Sequence, residues 1–158
     1  MKIRAGYWCD MAIDENKEIE LKEARERIFR LECELEKYEQ QEMETNHHFG
    51  GGVYARELVI PKDTVLTGKM HTHEHLNIML RGDITVYTET GAKRITEPGV
   101  IVSRPGTKRA GYTHEETVWI TFHATQETDL KVIEKIFIAS DPHEFIEKLN
   151  KEDKKCLG

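Results

Sequence analysis

Three histidines alternate in the stretch Lys69-Met70-His71-Thr72-His73-Glu74-His75-Leu76-Asn77-Ile78-Met79-Leu80-Arg81-Gly82-Asp83. Neutral imidazoles ligate borderline transition metals and exchange protons near neutral pH, so three on one surface are the chemistry this chain most visibly offers. Side chains of a β-strand change face at every residue. That period predicts His71, His73, His75, Asn77 and Met79 on one side and Met70, Thr72, Glu74, Leu76, Ile78 and Leu80 on the other. Imidazoles crowded on a buried face cost free energy unless something ligates or hydrogen-bonds them. The alternative to a metal is a cluster whose histidines hydrogen-bond to one another, to Asn77 and to water.

The elements that must position this strand follow from the rest of the chain. Residues from Asp14 to about Thr45 are dense in Glu, Lys and Arg and hold neither Gly nor Pro, which predicts a long helix. Leu21, Ala24, Ile28, Leu31, Leu35 and Tyr38 recur at alternating steps of three and four, a short heptad seam that suits either a coiled coil or a helix lying on its own domain. Tyr7 and Trp8, ahead of it, call for a hydrophobic partner. Asn46-His47-His48-Phe49-Gly50-Gly51-Gly52 reads as the end of the helix and a linker.

Beyond the glycines, short β-like runs are expected over Val53–Ile60, Val65–Met70, His71–Leu80, Ile84–Thr88, Arg94–Thr96, Val100–Ser103, Arg109–Tyr112, Val118–His123 and Ile133–Ile138. Turns are signalled at Pro61-Lys62-Asp63, Arg81-Gly82-Asp83, Thr90-Gly91, Glu97-Pro98-Gly99 and Arg104-Pro105-Gly106. Asp141-Pro142-His143-Glu144 is the start of a capped helix through Leu149, followed by a frayed Lys-rich tail. Many short strands at regular spacing indicate a sandwich or a barrel, and the expected divisions are 1–49 for the N-terminal helical segment, 50–140 for the β-half, and 141–158 for the C-terminal helix and tail.

Composition narrows the class. With 158 residues, 38% hydrophobic and 33% charged, the chain suits one soluble domain. No apolar run approaches membrane-spanning length, which predicts a cytoplasmic protein without a membrane partner. The net charge of −6, with the acid gathered toward the N-terminus, argues against a nucleic-acid partner. Cys9, Cys33 and Cys156 stand far apart in no ligand spacing and read as reduced.

Ile60-Pro61, Gly68, His71-Thr72-His73 and Leu80-Arg81-Gly82-Asp83-Ile84, with Glu97-Pro98-Gly99-Val100 and Arg104-Pro105-Gly106-Thr107, resemble the two signature stretches of the cupin superfamily. In that family two histidines and a glutamate from the first stretch meet a histidine from the second around a divalent metal inside a small β-barrel. The resemblance covers roughly Val53 to Ile138. His75-Leu76-Asn77-Ile78 and Val118–His123 further resemble short cupin-like proteins of bacteriophages, which would place the chain in a host cytoplasm.

The match has departures. Counted back from Gly82, His75 stands at the glutamate position, His71 at the second histidine and Lys69 at the first, while Arg109 holds the place of the second stretch's histidine. Reading His71 and His73 as the paired histidines loses the glutamate and leaves the spacing two residues short. Both registers stay open.

The resemblance implies a mainly β, double-stranded β-helix (jelly-roll) barrel with a long N-terminal helical arm and a short C-terminal helix. Its expected metal ligands are His71, His73, His75 and His123, and the cofactor a divalent transition metal, Zn, Fe, Ni or Cu, or none. Arg109, Asn77 and Tyr87 are the expected contacts for an anionic small molecule. The leading expectation is a metal-binding cupin with a small-molecule pocket, acting on an anionic substrate if it is an enzyme. The alternatives are a barrel that sequesters an anionic metabolite or nucleotide and a structural phage assembly protein. Pairing through the barrel and the helical arm would make a homo-oligomer. His47, His48, His114 and His143 stay outside the expected site.

Overall fold

The computed structural model describes residues 15–156, and side chains from Ile19 to Lys151. Tyr7, Trp8 and Cys9 lie outside the described residues. The chain forms helix α1 (Glu15–Leu35), strands β1 (Glu44–Gly50), β2 (Val53–Ile60), β3 (Val65–Thr67), β4 (His75–Thr88), β5 (Gly91–Ile95), β6 (Gly99–Ser103) and β7 (Ala110–Ala124), then helices α2 (Leu130–Phe137) and α3 (Pro142–Cys156). All strands pair antiparallel in one β-barrel-like sheet of order β1-β2-β7-β4-β5, with β3 on β7 and β6 on β4. The long strands β4 and β7 carry the architecture, since each pairs with three others. No described helix is long and apolar enough to cross a membrane.

The expected strand at Ile133–Ile138 is instead helix α2. Asp129 caps it by accepting from Lys131 N, and Ile133 and Phe137, one turn apart, bury one face against Tyr54. A short apolar run fits either element, and here the N-cap decides. Asp141 caps α3 as expected, accepting from the amides of His143 and Glu144, but the helix continues past Leu149 to Cys156.

The N-terminal helix is shorter than expected and docked. It ends at Leu35, where Gln40 Nε2 donates to the carbonyls of Leu35 and Tyr38. Residues read as helix end and linker form β1 and a two-residue hairpin turn, with Gly51 and Gly52 at φ 58° and 83°. That boundary therefore falls inside the sheet.

Seam residues Ala24 and Ile28 are buried on the chain's own barrel. Lys108, 2% exposed, reaches Glu32 of the helix at 2.6 Å and the Gly68 carbonyl at 2.9 Å. Arg25 meets Glu89 at 3.5 Å. Two of the seam residues are thus spent within the protomer, while Tyr38 at its end is 70% exposed. Cys33 is a free, exposed thiol.

One irregularity sets which side chains face inward. The expected turn at Arg81-Gly82-Asp83 is a bulged stretch of a continuous β4, whose pairing with β7 slips between Met79 and Ile84. Before it His75, Asn77 and Met79 are buried, whereas after it Ile84 and Val86 are. An odd slip exchanges the two faces of a strand. Met79, Ile84 and Val86 join Ile60 in the core, with Leu58, Leu66, Ile95 and Trp119 packed around them.

Candidate functional site

Three of the four expected ligand histidines meet inside the sheet. His75 lies on β4 and His123 on β7, both facing inward and buried, and His71 enters from a bridge to Ile138 before β4 begins. Ring centroids are 4.1 Å apart for His71 and His75, 5.0 Å for His71 and His123, and 5.1 Å for His75 and His123.

His73 is not among them. The chain bends at Thr72-His73, because Thr72 N donates to the Phe137 carbonyl and Thr72 Oγ1 to that of Ile136. Strand alternation starts only at His75, so the His73 side chain is exposed and meets the edge of Phe137. Its backbone matters more, since its carbonyl accepts from His75 Nδ1 at 3.0 Å. That bond fixes the His75 tautomer and leaves Nε2 with a free lone pair.

His71 Nδ1, His75 Nε2 and His123 Nδ1 are buried without a partner among the described residues. An unpaired buried polar atom costs on the order of 1–3 kcal/mol, so three in one cluster require an account. Burial, with smaller contributions from neighbouring histidines and guanidinium groups, pushes the His71 pKa down to about 2 and that of His123 to about 4, and lowers that of His75. All three rings are therefore neutral near pH 7, the form that ligates metals.

The donor set thus suits a borderline metal in kind. His71 stacks on His75 and on His123, however, at interplanar angles of 29° and 16°, His75 and His123 are tilted at 39°, and imidazole lone pairs lie in the ring planes. Among the described residues no group of three or more His, Cys, Asp or Glu is already set to hold a metal ion. Ligation would require the rings to turn.

Arg109 faces inward, where its guanidinium donates to Ser103 Oγ. Burial lowers its pKa, though a guanidinium stays charged. Arg56 on β2 pairs with Thr121 on the same inward register as Tyr54 and His123, and so adds a second cation on this side.

Asn77 is 1% exposed and occupied: Oδ1 accepts from Thr121 Oγ1 at 2.8 Å and Trp119 Nε1 at 3.1 Å, and Nδ2 donates to Ser103 Oγ at 2.6 Å. It ties β4, β6 and β7 together rather than facing a ligand. Tyr87 follows the slip in β4 and so lies on the face opposite buried Val86, beside Ala110. The structure does not bring it to the histidines.

Tyr54, Phe137, Ser103 and Arg56 belong to the site and carried no motif in the sequence. Phe137 stacks on His123 at 4.2 Å, and the Tyr54 hydroxyl hydrogen-bonds His47 Nδ1 at 2.8 Å. Only the register of β2 against β7, which sets Tyr54 opposite His123, would have revealed Tyr54 and Arg56. His48 faces out to Glu57, His114 on β7 bonds Thr85 on β4, and His143 packs on Phe29.

No family model matches the sequence, and a search of curated proteins returns no match. Solved structures do resemble it. The chain is similar to ectoine synthase from P. lautus, at 12% identity over 62% of this chain and 75% of that one, with a TM-score of 0.49. It is also similar to KdgF from Halomonas sp., at 13% identity over 61% and 95% with a TM-score of 0.48, and to the Cnp3 cupin domain of Schizosaccharomyces pombe, at 18% over 64% and 70% with a TM-score of 0.45. The strand pairing itself describes an antiparallel, β-barrel-like sheet.

Proposed function

We propose that this cupin-type protein binds a divalent transition metal, Zn, Fe, Ni or Cu, through His71, His75 and His123, and an anionic small molecule beside it through Arg109. The observation that carries the reading is the cluster of three neutral imidazoles, each with a buried nitrogen that has no partner among the described residues. A bound metal would supply Lewis-acid or redox chemistry at an open coordination position. The residues supply the rest. The His73 carbonyl holds the His75 tautomer, Phe137 and Tyr54 keep water from the rings, and Arg109 offers a fixed guanidinium for a carboxylate or phosphate.

Elemental analysis of protein purified without chelator tests this, beside a His71→Ala/His75→Ala variant whose fold is checked by circular dichroism. Near-stoichiometric metal that is lost in the variant supports the reading. A folded wild-type protein that takes up none of the four metals on reconstitution overturns it.

A second reading has its own support. Arg56 and Arg109 place two cations near the rings, which opposes a metal and favours an anion. A metal-free barrel that sequesters an anionic metabolite would then be stabilised by small carboxylates or phosphates without any metal.

A further inference from the structure

Helix α1 is fastened to the barrel at two points that flank Arg109. At the first, Glu32 Oε1 accepts from Lys108 Nζ at 2.6 Å and from Thr67 Oγ1 at 2.9 Å, and Lys108 also donates to the Gly68 carbonyl at 2.9 Å. Gly68 N in turn donates to the Arg109 carbonyl at 3.0 Å, so the backbone that aims Arg109 at Ser103 is pinned through the helix contact. At the second, Arg25 Nη2 lies 3.5 Å from Glu89 Oε1. Of the described side chains of α1 only Ala24 and Ile28 are buried, so docking leans on these polar contacts, and a segment with so small an apolar footing opens at low cost.

Glu89 is the acid that bears on Arg109. Tyr87 pairs with Ala110, and the same antiparallel register continued sets Thr88 opposite Arg109 and Glu89 opposite Lys108. Burial lowers the Arg109 pKa, and the field of Glu89 works against that lowering. The Glu89 side chain is 11% exposed, and its Oε2 is buried without a partner among the described residues, as is Arg25 Nε. A buried carboxylate with an unspent oxygen draws any guanidinium within reach. Arg25 is what engages it here, and Arg109 bonds a neutral hydroxyl instead.

We propose that α1 regulates the anion site: docked, its Arg25 occupies Glu89 and leaves the Arg109 charge to a carboxylate or phosphate; undocked, it releases Glu89 to pair with Arg109 and repel the ligand. The inference rests on the anion-binding reading of Arg109 given above, and it makes Arg25 a positioning residue. Coupling is reciprocal, so an anion on Arg109 favours the docked helix by the same factor by which docking favours the anion.

Isothermal titration of the full chain with inorganic phosphate and with succinate tests it, on variants whose fold is checked by circular dichroism. Arg25→Met should weaken the anion that wild type binds by about tenfold or more. Arg25→Met/Glu89→Gln should restore binding, because the competing charge is gone although the ion pair is not rebuilt. Glu89→Gln alone should bind at least as tightly as wild type. Hydrogen exchange gives a second readout: amides from Ala24 to Glu32 should exchange more slowly when the bound anion is added to wild type, and Arg25→Met should lose that protection. A wild type that binds neither anion, or an Arg109→Leu variant that binds as well as wild type, defeats the anion-binding reading and this proposal with it. Given binding through Arg109, the coupling alone is overturned by an Arg25→Met variant that binds normally, by a loss that Glu89→Gln does not rescue, or by α1 amides indifferent to the anion.

Discussion

The ring of Phe137 lies 4.2 Å from that of His123, nearly parallel to it, so the last turn of α2 covers the imidazole cluster. Phe137 also touches His73 and packs with Tyr54 and Ile133. Removing the ring by Phe137→Ala lets water reach His123, and its pKa should climb from about 4 toward the ordinary 6.5. Loss of a buried phenylalanine should cost about 3–5 kcal/mol of stability. An NMR titration of the histidine ring protons, paired with denaturant unfolding, reads both. An unmoved His123 would mean that Phe137 is not its shield.

Acid should destabilise the metal-free protein through the same rings. The folded pKa values of His71, His75 and His123 lie below the unfolded value near 6.5. Below that value the unfolded chain binds protons that the fold refuses. Stability is thus full above pH 6.5 and falls as the pH drops, by about 1.4 kcal/mol per pH unit for each ring that stays neutral in the fold. The decline should continue to about pH 4 for His123 and to about pH 2 for His71. Urea midpoints measured from pH 7.5 to 4 test this, and removing the rings with His71→Gln/His123→Gln should flatten the curve.

Much of this arrangement was legible in the residues, and what was not has physical reasons. Period-two patterning gave the inward set His75, Asn77 and Met79, because one face of that part of β4 is buried. It overreached at His73, where backbone bonds to α2 bend the chain, and Tyr87, expected as a ligand contact, lies on the other face because an odd slip exchanges faces. β1 carries Glu44-Thr45-Asn46-His47-His48 with almost every side chain exposed, so no apolar alternation announces it. Arg109 turned inward as the family resemblance implied, a fact that composition and periodicity do not contain.

Gly82 is the residue that permits the slip. Its φ is 120°, and a Cβ there would meet Thr117 Cα at 2.5 Å and the Glu116 carbonyl at 2.7 Å. Gly82→Ala faces both a left-handed backbone and a collision with main chain that cannot swing aside. A loss of about 3 kcal/mol or more is expected. Thermal unfolding is the measurement, and a melting temperature within a degree or two of wild type would deny the bulge its role.

Asn77→Ala should act on the fold before it acts on any ligand. It strands the Trp119 indole N–H and the Thr121 hydroxyl in the interior and removes one of the two donors to Ser103 Oγ. Each stranded buried group costs about 1–3 kcal/mol, so a total of about 2–5 kcal/mol is expected. Binding of metal or anion per folded molecule should change little. A stable variant with abolished binding would instead return Asn77 to the ligand site.

Arg109 separates the two functional readings, because its charge works in opposite directions in them. It lies beside the cluster and lowers the proton affinity of His71 and His75. The same field must lower the affinity of those rings for a metal cation, by about 2 kcal/mol per unit charge at several ångströms in a protein-like dielectric. Arg109→Leu should therefore tighten metal binding tenfold or more while abolishing stabilisation by small carboxylates. If anion binding alone is the function, the variant loses that stabilisation and still takes up no metal. Isothermal titration with Zn and with a dicarboxylate, on wild type and variant, distinguishes the cases. Unchanged titrations with both would show that Arg109 serves only to hold Ser103, and the site would then have to be sought around Arg56, the other guanidinium on the inward face.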